Sequence, residues 1–469
     1  MKSGDIVRTL LDTVHVNILK LTIVLSGFIS LYSNSPDIFG GLGNELAFYP
    51  VTFGLAIWVA SIILGVDKVH LPSTNIILLF FLFVFVIFIG GICNADGILS
   101  DKIKGITASS RFIVQFMSVI LYILSAIYLF NVFEKLRMSD SALLCFVERY
   151  ILISAYILGA YSFFELASIL GWHELRDVVN FIDGFFRSRD VQNNIFFYIR
   201  IRSLTAEASY FAMYCGVVFP WLVLHAIRSK KIINKIWNTM FVLYFLILLI
   251  FSFSRTGYFM ILAEMFAMGF LYRKSILNNI SKFIFCGGIL LAFVVVMIDY
   301  FAQSANIMTN IDIEGVFLSF ISGEQSYDMS NTSRLGAQIA ALRMFLDNPI
   351  LGVGWGQFPY HYAEYIPAWA WSSAEVQVWG SNIIGTPMIP VHGLYARLLG
   401  ELGILGFFLW LCIVYSMFIK SAKIRGGQCV IVSFLALCMF GFNVDGFRLY
   451  YYWMFFALIW TLQNKTTSI

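Results

Sequence analysis

"NIILLFFLFVFVIFIGGIC" (75–93) is nineteen residues without one charge. At 1.5 Å per residue a helix of that length reaches about 28 Å, close to the thickness of a bilayer's hydrocarbon core. Stretches of the same kind lie near 15–33, 45–65, 112–133, 143–168, 206–227, 233–253, 256–272, 278–300, 392–419, 427–444 and 448–463, which makes twelve in 469 residues. None alternates apolar with polar residues as a membrane β-strand would. The chain is 59% hydrophobic and only 12% charged, more apolar surface than a water-soluble core of this size needs. The expectation is an all-α integral membrane protein with about twelve transmembrane helices.

The basic residues orient it, because short cytoplasmic loops collect Lys and Arg. With the N-terminus inside, the inner segments carry 16 basic residues, from Lys2 and Arg8 to Arg425 and Lys465, against five acidic ones: Asp5, Asp12, Asp67, Glu134 and Asp140. An even number of spans puts both termini in the cytoplasm and leaves two long outward loops, 169–205 and 301–391. The expected organisation is spans one to nine in 1–300, a large periplasmic loop with short helices in 301–391, and spans ten to twelve in 392–469. The N-terminus lacks a small-residue cleavage site and reads as an uncleaved first span. The seven cysteines lie in or beside apolar spans without a CxxC, which suits packing rather than a disulfide or metal framework. There is no Gly-rich phosphate loop, no HExxH and no internal repeat, and no nucleic-acid partner is expected.

The outward face carries arginines that orientation alone does not explain. Arg187, Arg189, Arg200, Arg202, Arg255, Arg334, Arg343, Arg397 and Arg448 lie in the loops, hairpins or span mouths, and from residue 169 onward this face has no Lys. A guanidinium offers a planar fork that grips phosphate oxygens in pairs, whereas an ammonium is a hydrated point charge. Each arginine could be spent on an outward carboxylate, but as a set they suit an anionic ligand at the outer leaflet. Arg255 sits in a very short hairpin of "FSFSRTGYF" (251–259), where it has little room to snorkel. Glu207 follows Arg202 closely enough to be its partner or a base.

"NTSRLGAQIAALRMFLDNP" (331–349) predicts an amphipathic helix with Leu335, Ile339, Leu342 and Phe345 at helical spacing, stopped by Asn348-Pro349. Gly352, Gly354 and Gly356 then mark a turn. Trp355, Phe358, Tyr360, Tyr362, Tyr365, Trp369 and Trp371 follow, suited either to sugar rings or to an interfacial belt. His392 after Pro390 is expected in the first turn of the tenth span, where free N–H groups favour an anion and keep the imidazole neutral. A neutral His there is a candidate general base, or simply an interfacial residue. Arg397 and Glu401, four apart, are a candidate functional pair or a structural ion pair.

These residues resemble a family. "RLGAQIAALRMFLDNPILGVGWGQF" (334–358) and "HGLYARLLGELGILG" (392–406) are similar to the C-terminal signature of the O-antigen polymerase and O-antigen ligase superfamily, and "SFSRTGYF" (252–259) and "RSLTAEASYFAMY" (202–214) resemble its earlier Arg elements. Arg343 and Gly354 match the spacing of an Arg-x10-Gly pattern in the polymerases' loop. One departure is Gly393, where the family often has Asn.

The resemblance implies a GT-C-like glycosyltransferase of the bacterial inner membrane, working on the periplasmic face. Its partners are undecaprenyl-pyrophosphate-linked oligosaccharide and polysaccharide, membrane lipid, and a chain-length regulator as a further class. It implies His392 or Glu207 as catalytic base, Arg202, Arg255, Arg343 and Arg334 on the pyrophosphate, and Arg397, Tyr360, Trp355 and Arg448 on the glycan. No cofactor and no metal site is expected, although Asp312 and Glu314 of "NIDIEG" (310–315) would suit a cation in a metal-dependent relative. The activity implied is a polymerase, alternatively a ligase passing polymer to lipid A core. A flippase or transporter also fits twelve spans, but its midplane charges would have to be Lys20, Glu148, Arg149 and Glu264, which are scattered.

Overall fold

A computed structural model describes residues 3–29, 42–172, 174–186, 200–271, 329–384, 386–421 and 427–466. The described part is almost wholly helical. Its first half holds α1 (Ser3–Leu25), α2 (Phe48–Ile63), α3 (Thr74–Cys93), α4 (Ala95–Ser100), α5 (Ala108–Lys135), α6 (Asp140–Ile169), α7 (Leu175–Phe186), α8 (Ala208–Arg228), α9 (Ile232–Phe251) and α10 (Arg255–Leu271). Beyond 328 come α11 (Met329–Asp347), α12 (Phe358–Tyr365), α13 (Ala374–Gly380), α14 (Leu394–Ser421), α15 (Gln428–Phe440) and α16 (Tyr450–Thr466). Helices are the economical choice in lipid, because each satisfies its own backbone polar groups.

Six of these helices, α3, α5, α6, α8, α9 and α14, are long and apolar enough to cross a membrane. They make this a multi-pass membrane protein. The remaining apolar stretches fall on shorter helices or, for α1 and α16, on helices that do not meet that measure; the stretch 278–300 lies outside the described residues. Arg187, Arg189, Asp312 and Glu314 lie outside them too.

The central column is α8, flanked by α6, α9, α10 and α15. Its side chains from Phe211 to Trp221 are almost all buried. On one flank α16 packs against α5, α14 and α15 through stacked rings such as Tyr122 on Trp453, 5.5 Å between centroids. Phe81, Phe88, Ile113, Phe259 and Phe266 point outward, as side chains facing lipid should.

The described part of the 301–391 segment forms a small helical body with its own core, including Ala337, Ala341, Met344, Phe358, Tyr362 and Val376. The expected helix is present as α11, but its buried face is not the expected one. Leu335 and Leu342 are exposed, while Ser333, Ala337, Ala340, Ala341 and Met344 are buried. The small residues win because α11 lies very close to α14: a Cβ on Gly400 would stand 2.8 Å from the Ala341 carbonyl. Only short side chains permit such an approach.

The glycine turn between α11 and α12 is docked into a break in α14. Gly403 interrupts that helix at φ 62°, ψ −163°. The hydrogen bonds lost there are remade with the turn. Ile404 N–H donates to the Pro349 carbonyl at 2.8 Å, and Leu405 N–H to Ile350 at 3.4 Å. In the other direction Val353 N–H donates to Gly400 at 3.0 Å and Gly354 N–H to Glu401 at 3.0 Å. Residues 349–354 thus act as a strap across the gap, which answers the buried backbone's need for partners.

A two-stranded hairpin, β1 (Lys102–Ile103) and β2 (Ile106–Thr107), precedes α5, with Lys104 and Gly105 at φ 55° and 83° in its turn. Two positive φ angles are what a tight hairpin turn demands. Nothing in the periodicity of the sequence marked it.

Candidate functional site

His392 does not lie in the first turn of α14. It stands two residues before the helix, in a left-handed conformation with φ 59°. A non-glycine residue held there is strained, and the surroundings fix it. Gln338 Nε2 of α11 donates to the His392 carbonyl at 2.8 Å and to the Phe442 carbonyl at 3.0 Å. The preceding Val391 N–H donates to Asp445 Oδ2 at 3.0 Å. The first amide of α14, Leu394 N–H, is taken by the Gly441 and Val444 carbonyls at 2.7 and 3.1 Å. That amide is therefore not free for an anion.

Gly393 makes room for this arrangement. A Cβ there would lie 3.0 Å from Gln338 Nε2 and 3.2 Å from the Phe442 carbonyl. Gln338 fills the side on which the family's Asn would project.

The imidazole packs on Trp379 of α13 with centroids 5.2 Å apart. Its Nε2 is buried and, among the described residues, has no hydrogen-bond partner. Burial lowers the His392 pKa to about 4, and the Arg334 guanidinium pushes the same way against the weaker pull of Asp445 and Glu207. The ring is neutral as expected, but through burial rather than a helix end. A neutral imidazole with an unengaged buried nitrogen can accept a proton.

Around it the residue just before α8, helix α11 and the α15–α16 connection each contribute a charge: Glu207, Arg334 and Asp445. Arg334 donates from Nη1 to Asn443 Oδ1 at 3.1 Å and has Nη2 3.9 Å from Glu207 Oε2. Ser209 Oγ donates to that same Glu207 oxygen at 3.1 Å. Arg448 donates to the Tyr210 hydroxyl, lies over the Tyr210 ring at 5.3 Å and is 3.7 Å from Glu45. Both guanidinium groups remain part-exposed, at 30% and 32% for the side chain. Burial pushes the Asp445 carboxyl up, yet Arg397, His392 and Arg448 together hold it below its ordinary range.

The structure sorts the other candidates. Arg202 is buried, with Nη2 2.7 Å from Asp183 Oδ2 and Nε 4.0 Å from Glu165. Tyr161 donates to the other Asp183 oxygen at 2.6 Å, and Ser203 N–H to Glu165 at 2.7 Å. This is a buried charge network rather than an open clamp. Arg255 is the half-buried first residue of α10. The turn before it is gripped by Arg200, which donates to the Ser252 and Phe253 carbonyls at 2.9 and 3.0 Å. Ile201 N–H donates to Phe251 at 2.9 Å, so the two Arg segments share one edge. Arg343 is exposed and donates to the Tyr365 carbonyl at 3.1 Å. Nine residues from Arg334, it projects on roughly the opposite side of α11.

Two candidates for glycan contact, Arg397 and Trp355, are internal instead, and a third, Tyr360, is part-exposed but tied down. Arg397 lies 4.2 Å over the Trp355 ring and donates to Glu401 at 2.8 Å, to the Asp445 carbonyl at 2.9 Å and to Gln115 at 3.1 Å. Trp355 is 1% exposed and offers no face to a sugar. Glu401 accepts from Gly356 N–H at 2.9 Å and Phe358 N–H at 3.1 Å, so the pair fastens the chain between the strap and α12. Tyr360 donates to the Ile106 carbonyl at 3.1 Å and ties α12 to the hairpin. Far from this cluster in sequence, Glu148 is paired with His225 at 2.8 Å and Arg228 at 3.1 Å.

Sequence reading passed over Asn443, Asp445, Tyr210, Gln338 and Trp379. The polar run "FNVDGFR" (442–448), placed between two apolar helices, was the available signal for two of them. No group of three or more metal-ligating side chains occurs among the described residues.

A family model described as O-Antigen ligase matches residues 240–411. The matched segment contains Arg255, α11, the strap, His392 and the break in α14, and it supports the likeness to the O-antigen polymerase and ligase superfamily. Arg202, Glu207 and Arg448 stand outside it. The family implies glycosyl transfer on lipid-linked polysaccharide and does not separate polymerase from ligase. No curated protein matches the chain.

Proposed function

We propose that the protein is a surface-polysaccharide polymerase of the bacterial inner membrane. It has about twelve spans, both termini in the cytoplasm, a catalytic face in the periplasm and the division 1–300, 301–391 and 392–469. It moves a growing glycan from undecaprenyl pyrophosphate to a sugar hydroxyl of a lipid-linked repeat unit. The observation that carries this reading is the buried, unengaged Nε2 of His392 within the field of the part-exposed Arg334 guanidinium, with Asp445 acting on both His392 and the part-exposed Arg448.

In this mechanism the acceptor oxygen attacks the anomeric carbon while its proton passes to His392 Nε2. The bond from that carbon to the pyrophosphate oxygen breaks, and its electron pair leaves with the lipid pyrophosphate. Charge grows on the leaving group in the transition state, where fixed guanidinium groups stabilise it most. Arg334 and Arg448 take this role, with Arg255 at the neighbouring rim and Arg343 meeting more distant parts of the substrate. Glu207 holds Arg334, and is the base if His392 is not. Arg202 keeps the rim in shape from below. The leaving pyrophosphate supplies the driving force, so the reaction uses neither nucleotide nor metal.

A second reading is favoured by the description of the matching family: a ligase that passes polymer to lipid A core. The lipopolysaccharide of a deletion strain separates the two. Loss of a polymerase leaves core bearing one repeat unit, and loss of a ligase leaves bare core with polymer retained on its lipid carrier. Unaltered surface glycan would overturn both.

A further inference from the structure

We propose that the cavity between the β1–β2 hairpin and α13 is a subsite for one sugar residue that carries a carboxylate. The proposal rests on the glycan-transfer reading and names the substrate class. The cavity has a volume of about 120 Å³, and its walls include Lys104, Pro359, Tyr362, Trp379, Asn382 and Ile389. At about 30 Å³ per water that volume holds roughly four waters, so it takes one edge of a sugar ring with its substituent, the rest of the ring standing at the mouth. It therefore suits part of a single residue rather than an oligosaccharide.

Its lining has the chemistry for such a ring. Tyr362 and Trp379 supply aromatic faces for sugar C–H groups. The Tyr362 hydroxyl is buried and, among the described residues, has no hydrogen-bond partner. Buried hydroxyls are nearly always bonded, so an unanswered one on a cavity wall points to a ligand.

Lys104 gives the charge preference. It is only 5% exposed, and its Nζ donates to the Pro387 carbonyl at 2.5 Å. An ammonium has three donors, which leaves two. Among the described residues no carboxylate accompanies it. Buried lysines are ordinarily paired, so the missing anion belongs to what enters the cavity. The residue also holds a positive φ of 55° in the hairpin turn, while its backbone N–H donates to Asn382 Oδ1 at 2.6 Å. Gly or Asn would sit there with less strain. Keeping a lysine at that point sends its ammonium to this wall.

The position suits the reaction. Trp379 lines the cavity and also packs on the His392 ring at 5.2 Å. A ring held here is one aromatic side chain away from the base, as the sugar next to the reacting one would be.

Saturation-transfer NMR on the full chain in detergent, with methyl glucuronide and methyl glucoside as probes, tests the subsite. The uronide should saturate at about tenfold lower concentration than the glucoside, as a charge-assisted contact to Lys104 would give. Lys104→Gln should erase the preference, and Lys104→Arg should keep part of it. Equal saturation by the two glycosides, silence from both, or a preference that survives Lys104→Gln would overturn the proposal; the first two need no variant to fold. Release of polyprenyl pyrophosphate from lipid-linked glycan is followed on the same preparation. Turnover without uronide preference removes the subsite and leaves the transfer reading standing. Uronide preference without turnover supports the cavity as an acidic-sugar site and removes the transfer reading.

Discussion

A Cβ on Gly403 would stand 2.4 Å from the carbonyl carbon of Ile350. The break in α14 and the strap that crosses it are fitted backbone to backbone, with no side chain at the contact to give way. Gly403→Ala should therefore combine a penalty of roughly 1–3 kcal/mol, for a backbone conformation that essentially only glycine adopts, with a main-chain clash. Gly352→Ala should behave alike, since its Cβ would lie 2.4 Å from the Glu401 carbonyl carbon. Gly65→Ala is the control: φ is 71° there as well, but nothing lies within 4 Å. Thermal unfolding in detergent should rank Gly403→Ala and Gly352→Ala well below Gly65→Ala. Equal midpoints would refute the fitted strap.

Glu401 answers both the Arg397 guanidinium and two amides just past the strap, those of Gly356 and Phe358. Removing one member of a buried pair typically costs about 3–5 kcal/mol, because the other charge is left without a partner. Glu401→Ala should approach that cost, and Glu401→Gln, which still offers an acceptor, should cost less. Chemical denaturation is the measurement. A variant as stable as wild type would mean that Arg397 finds another anion.

His392 should give the reaction an acid limb. With its pKa lowered to about 4 by burial and Arg334, the ring of the free enzyme is neutral throughout the ordinary range. As kcat/KM reports the free enzyme, it should hold down to about pH 5 and fall toward pH 4. Arg334→Gln removes one cause of the lowering, so its limb should move to higher pH. The stability sign is fixed too. Between about pH 4 and 6.5 the unfolded chain binds the proton that the folded ring refuses, so stability falls as pH falls through that window. A limb that stays in place in Arg334→Gln would dissociate it from His392.

Arg202 and Arg334 should fail in different ways. Arg202→Ala removes one member of the buried Arg202–Asp183 pair and should cost about 3–5 kcal/mol of stability. Arg334→Ala leaves only Asn443 and the exposed Glu207, so stability should change little. Its transfer rate should drop by about 100- to 1000-fold, as when a group that meets developing charge is removed. Arg334→Lys should recover only part, since the fork is gone. Parallel measurements of unfolding and of lipid-linked glycan turnover separate these patterns, and a fully active, stable Arg334→Ala would dismiss it from the site.

Much of this fold was legible because hydrophobic length is a local property: 75–93 and 143–168 are recovered as α3 and α6 to within three residues at each end. The His392 and Arg334 neighbourhood was legible as well, since charges at span mouths stand out against an apolar chain. What failed depended on contacts far apart in sequence. The leucines of α11 have the spacing of an inner face, yet the facing glycine of α14 reserves that place for alanines. Trp355 has the chemistry of a sugar platform, but a guanidinium lies on its ring. Arg202 met its carboxylate from a segment nineteen residues earlier. Asp445, a single acid between two spans, carried no pattern until the chain folded it beside His392.

The strap also sets an order of events in building the molecule. Residues 349–354 leave the ribosome before the helix whose gap they close, and helix α14 cannot hold its backbone in hydrocarbon with Gly400, Glu401, Ile404 and Leu405 unanswered. The small helical body ahead of α14 is thus a template for a helix made after it. Cutting the chain between the two and supplying the halves separately would ask a lipid-embedded helix to wait, half satisfied, for its missing piece.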